Sequence, residues 1–383
     1  MKKITDKRIG IIGGGQLGKM MILEAKRLGM YVITLDPSPE CPSHSISDEL
    51  IVGSLGDENA IFELAQKVDV ITYEFEHINA EALVKLEQKG YVIYPTATSL
   101  CLIKDKFHQK AKLRENNICV PDFELIKDFA HLCTYAKKNG YPIMLKNCKD
   151  SYDGKGNYLI RTEQELQTGF DELKGNERNL MVEEFIDFDM EVSVIATRSI
   201  NGDKVIFPIA HNVHVNNVLE TTTIPALIPD HLKTEIHDMA EKVMDVFDGV
   251  GTFCVEMFVG KGAEKIYINE VAPRPHNSGH YTIEGCRVNQ YENHIRAILG
   301  LPLGSTKAVH NAVIMRNLLG QSNGKPDVQG LEEACAQEGV NVHVYGKRES
   351  RIARKMGHYT VTAESLEKAK QIDEALANVV KIV

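Results

Sequence analysis

Arg8-Ile9-Gly10-Ile11-Ile12 runs directly into Gly13-Gly14-Gly15-Gln16-Leu17-Gly18, and residues 19–28 follow with apolar side chains at helical spacing. A short apolar strand, a glycine turn and an amphipathic helix in that order leave few folds open. The run Met30–Asp36 then reads as a second strand ending on an acid, before the turn Pro37-Ser38-Pro39. This is the opening of a doubly wound α/β domain. Glycines let the backbone approach a phosphate, and the first turn of the helix offers unpaired N–H groups. A dinucleotide satisfies that description, and so does any other phosphorylated ligand, because the motif senses a phosphate and not a nicotinamide.

The alternation continues. Apolar runs at 51–55, 69–75 and 91–95 are separated by helical stretches at 58–68 and from Asn79 to Lys89. This predicts a parallel sheet through about residue 95. A helix is expected over 99–116. A smaller α/β section follows, with strands at 141–147, 157–161 and 179–185 expected to form an antiparallel sheet carrying a helix. Asn201-Gly202 marks a hairpin turn. A helix is expected from Asp230 to Phe247, a second hairpin over 251–274, a helix from Asn289 to Leu299, and a β-containing tail from Ala308.

Charge and cysteines exclude several classes. Lys+Arg 44 against Asp+Glu 53 gives a net charge of −9, whereas a nonspecific nucleic-acid binder needs a basic face. No run approaches the ~20 apolar residues of a membrane span, and Ile9–Ile12 is too short for a signal sequence. The 8 cysteines are scattered with no CxxC pair, which fits thiols in a reducing cytoplasm.

The middle of the chain carries chemistry that a dehydrogenase does not need. Lys146 ends an apolar strand. The loop Ser151-Tyr152-Asp153-Gly154-Lys155-Gly156-Asn157 sits between two strands, as a lid over phosphates does. Glu183-Glu184-Phe185-Ile186 ends another strand, expected to be an edge whose free backbone groups read an adenine ring, and Glu191 lies beyond it. Glu256 and Glu270 fall on the two strands of one hairpin, Glu270 next to Asn269, among apolar neighbours. A carboxylate on an apolar strand needs a partner. Two carboxylates and an amide oxygen suit Mg²⁺, while cross-paired acids are the ordinary alternative.

These motifs together resemble the N5-carboxyaminoimidazole ribonucleotide synthetase family of the ATP-grasp superfamily. The resemblance rests on Gly13–Met20, Thr72-Tyr73-Glu74-Phe75-Glu76-His77, Tyr152–Gly156, Asn269–His280 (NEVAPRPHNSGH) and Arg354–His358. It spans residues 9 to about 362. It implies an ATP-grasp fold with a doubly wound domain at 1–104. An ATP-grasp region follows at 105–300, divided into a lid-bearing part, 117–187, and a metal-site part, 188–300. A small C-terminal domain covers 301–383. The implied reaction is ATP-dependent carboxylation of 5-aminoimidazole ribonucleotide (AIR) by bicarbonate through carboxyphosphate. A cytoplasmic homodimer handing its product to a mutase is also implied.

The resemblance also assigns residues. Lys106 and Lys146 contact nucleotide phosphates, with residues 151–157 as the lid. Glu183 to Ile186 line the adenine pocket, Glu191 holds the ribose and His214 joins the ATP site. Glu256, Glu270 and Asn269 hold Mg²⁺, as two ions in the family's manner. Arg274, His276 and Asn277 receive bicarbonate, and Asp153 orients or deprotonates the AIR amine. Gln16, Leu17, Glu74, Glu76, Tyr152, Lys347 and Arg354 hold AIR. Two positions depart from the family pattern: Asp150-Ser151 replace the usual Gly-Gly, and Lys106 stands where Arg is common. A basic run such as Lys347–Lys355 is ordinarily a solvated face. An ATP-grasp enzyme for another small anion, a dehydrogenase and a non-catalytic purine-binding subunit are the rival readings.

Overall fold

The computed structural model describes residues 3–149, 156–263 and 265–383. Four parallel strands open the chain, in the spatial order Glu49–Val52, Tyr31–Asp36, Arg8–Ile12, Val70–Tyr73. Ile9, Ile11 and Ile12 are fully buried, as expected of a parallel strand covered on both faces. Ile9 and Ile11 pack against Met20, Met21 and Ile22 of the helix Gln16–Arg27, and in the same cluster against Tyr291 and Ile295 of the helix Gln290–Leu299. The first sheet is thus closed on one side by residues about 280 positions later.

Two expectations for this region change. The apolar run at 91–95 forms no strand; it contributes one bridge, Ile93 to Ile71. The helix expected over 99–116 is two helices, Ala97–Lys104 and Lys106–Glu115. Asp105 breaks it because its carboxylate accepts from the amides of Phe107 and His108 and so starts a new helix.

The second sheet is antiparallel, in the order Phe123–Ile126, Leu180–Glu184, Ile143–Asn147, Asn157–Ile160. The strand at Phe123–Ile126 was not anticipated, and it corrects the reading of Glu183. Leu180–Glu184 has a neighbour on each side, so it is not an edge. Its free backbone begins only after Glu184, whose amide still donates to Asp122.

The third sheet has nine strands. Its path runs Ile266–Ala272, Gly251–Gly260, Phe188–Arg198, Ala210–Val215, Val218–Ile224, Ala312–Leu319, Lys355–Ala363, Val340–Val344, with Lys204–Ile206 paired to Phe188–Arg198. The Asn201-Gly202 hairpin is present, with Gly202 at φ +90°. A second hairpin turns on Asn216 and Asn217, both at positive φ, a conformation asparagine tolerates better than most residues. Val218–Ile224 pairs with Ala312–Leu319, so the sheet crosses the boundary expected at 300. The helix Asp230–Val246 covers one face through Leu232, Ile236, Met239, Ala240, Val243 and Met244.

Candidate active site

The glycine loop comes first in sequence. Gly13 sits at φ +101°, where only glycine is comfortable. The carboxylate of Glu74, at the end of Val70–Tyr73, accepts from the amides of Gly15 and Gly18, the latter at 2.6 Å. A Cβ on Gly15 would lie 2.5 Å from the Glu74 oxygen. The chain therefore supplies its own anion to two donors of the loop. Burial raises the Glu74 pKa, and the two amide bonds oppose that rise. The amides of Gln16 and Leu17, next in the first turn, are not among those that Glu74 takes. Asp36 meanwhile accepts from Gly14 at 2.8 Å.

The hairpin Gly251–Gly260/Ile266–Ala272 brings Glu256 directly opposite Glu270. The register shifts beyond this pair: Met257 opposes Ile268, and Asn269 is the extra residue. A bulge re-aims side chains that would otherwise alternate across the sheet. Adjacent Asn269 and Glu270 thereby both face the lysines: Lys146 Nζ donates to Asn269 Oδ1 at 3.3 Å and Lys106 Nζ to Glu270 Oε2 at 2.5 Å. Burial would raise the Glu270 pKa, but Lys106 and Lys146 hold it below the usual carboxylate value. Glu256 is pushed up to about 7, first by burial, with Glu270 and Glu191 adding to it and His214 opposing. A carboxylate facing two others is short of positive charge, and its oxygens together with those of Glu270 and Asn269 are hard donors that fit Mg²⁺. Cys254 Sγ and a His276 ring nitrogen also approach Glu256, all within 4.8 Å. Burial holds that thiol well above its ordinary pKa, as a neutral group.

The helix Lys106–Glu115 aims three residues at this hairpin from one face, at i, i+3 and i+4. Its first amide is pinned to the Cys148 carbonyl at 2.8 Å. Gln109 donates to Val271 O and accepts from Val271 N, both at 2.9 Å. Lys110, fully buried, lies 3.0 Å from Glu183, which also meets Lys146 at 2.7 Å. Burial lowers Lys110 to about 8, with Glu183 opposing. Burial alone would raise Glu183, but the two lysines bring it down to about 2. The Glu183 side chain is therefore held in an ion-pair knot with Lys110 and Lys146. Lys110 was missed in the sequence; its only signal was a lysine four residues after Lys106 on the same helix face.

Glu191 and His214 meet as an ion pair on neighbouring strands. Burial opposes the His214 charge, but Glu191 raises its pKa. They line a cavity of about 600 Å³ with Phe188, His211 and Asn212.

The loop after Ile266–Ala272 is tightly held. Arg274 meets Glu76 at 2.7 Å and donates to Pro275 O at 3.2 Å, so Glu76 holds the arginine. Asn277 and Asn317 exchange two amide hydrogen bonds, each 2.9 Å. These two bonds use one N–H and one lone pair of the Asn277 amide and anchor the loop to the strand Ala312–Leu319. His276 Nδ1 lies 2.9 Å from Ser278 Oγ, and Nε2 lies 3.8 Å from Glu256. Gln290 clamps the His276 backbone through both its amide atoms, at 2.9 and 2.7 Å. Burial and then Arg274 push the His276 pKa far down, so the ring is neutral.

Lys347 donates to Lys355 O at 2.6 Å and stands 5.6 Å from the Tyr345 ring. Lys19, from the helix after the glycine loop, donates to Tyr345 O at 3.1 Å. The basic tail and the glycine-loop helix thus share one corner. Arg354 reaches the Glu349 carbonyl at 2.6 Å. Lys19 had no sequence signal beyond its place after the glycines. Ser151, Tyr152, Asp153, Gly154 and Lys155 lie outside the described residues. Gly156 and Asn157 lead into the strand Asn157–Ile160, and the Gly156 carbonyl accepts from Asn147.

Three family models match in tandem: a ribonucleotide synthetase preATP-grasp domain over 6–104, an ATP-grasp domain over 111–291 and a phosphoribosylaminoimidazole carboxylase C-terminal domain over 313–372. An N5-carboxyaminoimidazole ribonucleotide synthase of Staphylococcus haemolyticus is 38% identical over 364 residues, 95% of this chain and 94% of its own length. The crystal structure of N5-carboxyaminoimidazole ribonucleotide synthetase from Thermotoga maritima has a TM-score of 0.90 at 41% identity, covering 98% of this chain and 99% of its own. A synthase from Aspergillus clavatus, solved in complex with ADP and AIR, has a TM-score of 0.91 at 32% identity, covering 98% and 99%. With the ATP-grasp hairpin, the glycine loop and the C-terminal strands all matched across the whole length, the chain belongs to the N5-carboxyaminoimidazole ribonucleotide synthase family.

Proposed function

We infer that this chain is an ATP-dependent carbon–nitrogen ligase of purine biosynthesis that carboxylates the exocyclic amine of AIR with bicarbonate, giving N5-carboxyaminoimidazole ribonucleotide, ADP and phosphate. The observation that carries this reading is the Glu256–Glu270 pair, with its bulged Asn269, facing both the phosphate-binding lysines and the Arg274–His276 loop.

The residues divide the work as follows. Glu256, Glu270 and Asn269 would hold Mg²⁺, whose charge offsets that of the nucleotide phosphates. Lys106 now pairs with Glu270, and Lys146 pairs with Glu183 and donates to Asn269 Oδ1; they turn to phosphate oxygens when the nucleotide binds. Glu191 and His214 take the ribose side, in the 600 Å³ cavity. Phe185 and Ile186, beyond the paired part of Leu180–Glu184, offer the backbone that reads adenine, with Glu184 beside them. Bicarbonate sits between Arg274 and His276. Attack of its oxygen on the γ-phosphorus forms carboxyphosphate and releases ADP. Carboxyphosphate hydrolyses readily, so it must form in a site closed to water, and residues 151–157 are assigned to that closure. The AIR amine then takes the carboxyl group, phosphate leaves, and Asp153 orients the amine or accepts its proton. The AIR phosphate lies at the corner of Gln16, Leu17, Lys347 and Arg354, beside Glu74.

A dehydrogenase reading fits less well, because Glu74 already fills the amides that a dinucleotide pyrophosphate would use. We place the enzyme in the cytoplasm as a homodimer that hands its product to a mutase. All eight cysteines are free thiols, as a reducing compartment requires, and no helix among the described residues is long and apolar enough to cross a membrane. Light scattering tests the dimer. The reaction is tested by measuring ADP release with and without AIR and bicarbonate, with the product trapped. ADP release independent of AIR would overturn it.

A further inference from the structure

The Arg274–His280 loop contains a buried hydrogen-bond chain that the reaction scheme leaves unused. Thr222 Oγ1 donates to Asn212 Oδ1 at 3.0 Å, and Asn212 Nδ2 donates to Ser193 Oγ at 2.8 Å. Ser193 Oγ donates to Ser278 Oγ at 2.9 Å, and Ser278 Oγ lies 2.9 Å from His276 Nδ1. Ser193 and Ser278 are buried, at 1% and 0% exposed. The chain crosses four elements and ends on the one loop histidine beside Glu256.

The direction of the last bond is fixed by a group that has no choice. The Ser278 backbone N–H, which can only donate, points at His276 Nδ1 at 3.3 Å, and His276 caps the short turn Asn277–Gly279 through that atom. Nδ1 is therefore an acceptor. A ring nitrogen that accepts carries no proton, so in the neutral ring the proton is on Nε2. The Ser278 hydroxyl accepts from Ser193 and gives its own proton to Nδ1 as a second donor. Nε2–H is left pointing toward Glu256 Oε1, 3.8 Å away and beyond hydrogen-bond reach. A general base needs a lone pair aimed at the proton it removes. Here the lone pair faces inward and the N–H faces the site.

We propose that Ser278, backed by Ser193 and Asn212, is a positioning residue that locks His276 as its Nε2–H tautomer, so that His276 serves as a hydrogen-bond donor to the bicarbonate anion and not as a base or proton relay. This rests on the reading that the Arg274–His276 loop receives bicarbonate. The Gln290 clamp on the His276 backbone keeps the ring in register with the chain.

The test uses the full chain labelled with ¹⁵N-histidine. Long-range ¹H–¹⁵N spectra assign His276 by the signal lost in His276→Gln. A protonated, pyrrole-type Nε2 and an unprotonated, pyridine-type Nδ1 are expected. In Ser278→Ala the Nδ1 signal should move toward that of a nitrogen without a hydroxyl donor, and kcat/KM for bicarbonate should fall about 10-fold with the KM for ATP nearly unchanged. His276→Gln places an amide donor near the Nε2 position and should keep activity within about 10-fold of wild type. His276→Asn cannot reach that position and should lose about 10- to 100-fold more. A protonated Nδ1, an unmoved Nδ1 signal in folded Ser278→Ala, or a Gln variant as inactive as the Asn variant overturns the proposal. If Ser278→Ala does not fold, the wild-type spectrum and the Gln/Asn pair still decide. Failure of the carboxylation reading itself would show separately, as ADP release from wild type that ignores bicarbonate, while the tautomer is read without substrate.

Discussion

The glycine loop and the Glu256–Glu270 hairpin both handle anions, and they solve the problem in opposite ways. At the loop the protein owns the anion: Glu74 fills the amides of Gly15 and Gly18, and two backbone donors keep a buried carboxylate satisfied. At the hairpin the protein owns the cations: Lys106, Lys110 and Lys146 sit against Glu270, Asn269 and Glu183. Glu74 fills two of the loop's donors and leaves the amides of Gln16 and Leu17 outside its reach. The hairpin holds lysines and carboxylates whose best partners are a triphosphate and a divalent ion. A fingerprint that announces phosphate binding can therefore be partly filled by the protein's own carboxylate, while an ordinary-looking hairpin gathers lysines and carboxylates together.

Four measurements sharpen or break that comparison. Glu270→Gln keeps the shape and removes a carboxylate charge from the hairpin. AIR-dependent ATPase should fall on the order of 10²-fold or more, and near-normal turnover at ordinary Mg²⁺ would remove Glu270 from the metal site. Lys110→Met breaks the knot from one side and leaves Glu183 with Lys146 alone. Loss of one partner of a buried pair costs about 3–5 kcal/mol, readable as a lower urea midpoint. The same knot sets an acid limit. The Glu183 pKa is depressed in the folded protein, so its stabilisation is complete above about 4.5 and is lost as pH falls toward about 2. The variant should lose less stability than wild type across that window, and parallel acid curves would show that Lys110 contributes nothing.

Lys347→Ala tests the corner where the loop meets the tail. A charge-assisted hydrogen bond is worth about 1.5–3 kcal/mol, so the KM for AIR should rise about 10- to 150-fold with the KM for ATP barely moved. An unchanged KM would return Lys347 to the solvated face. Glu74→Ala should have the smallest effect. It strands two amides at a cost of about 1–3 kcal/mol, read as a lower melting temperature. Inorganic phosphate should restore part of that loss in the variant and do little for wild type. Equal phosphate effects on both would mean that Glu74 does not occupy the loop's anion site.

Much of the site was legible because its signals are local. The strand–glycine–helix opening, the Asn201-Gly202 turn and the Glu256/Glu270 hairpin depend on residues close in sequence, where periodicity and turn chemistry act. The misread parts depend on contacts between distant segments. Nothing near 180–184 announces that Phe123–Ile126 pairs alongside and converts an edge into an interior strand. Nothing near Glu183 announces Lys110, 73 positions earlier. The bulge at Asn269 was equally hidden: the adjacency of Asn269 and Glu270 suggested shared work, but alternation along a regular strand would have sent them to opposite faces.

The sequence by itself determined the alternation of strands and helices, the glycine turn at φ +101° and the paired carboxylates of the Glu256/Glu270 hairpin, because each is set by the steric and hydrogen-bonding needs of a few consecutive residues. Only the tertiary structure decided that Glu74 fills the glycine loop, that Asn317 anchors Asn277 and that the C-terminal strands extend the same sheet as the hairpin. Those outcomes turn on which buried polar groups find partners once the chain is packed, and a buried donor or acceptor takes whichever partner the fold brings within about 3 Å, regardless of its distance along the chain.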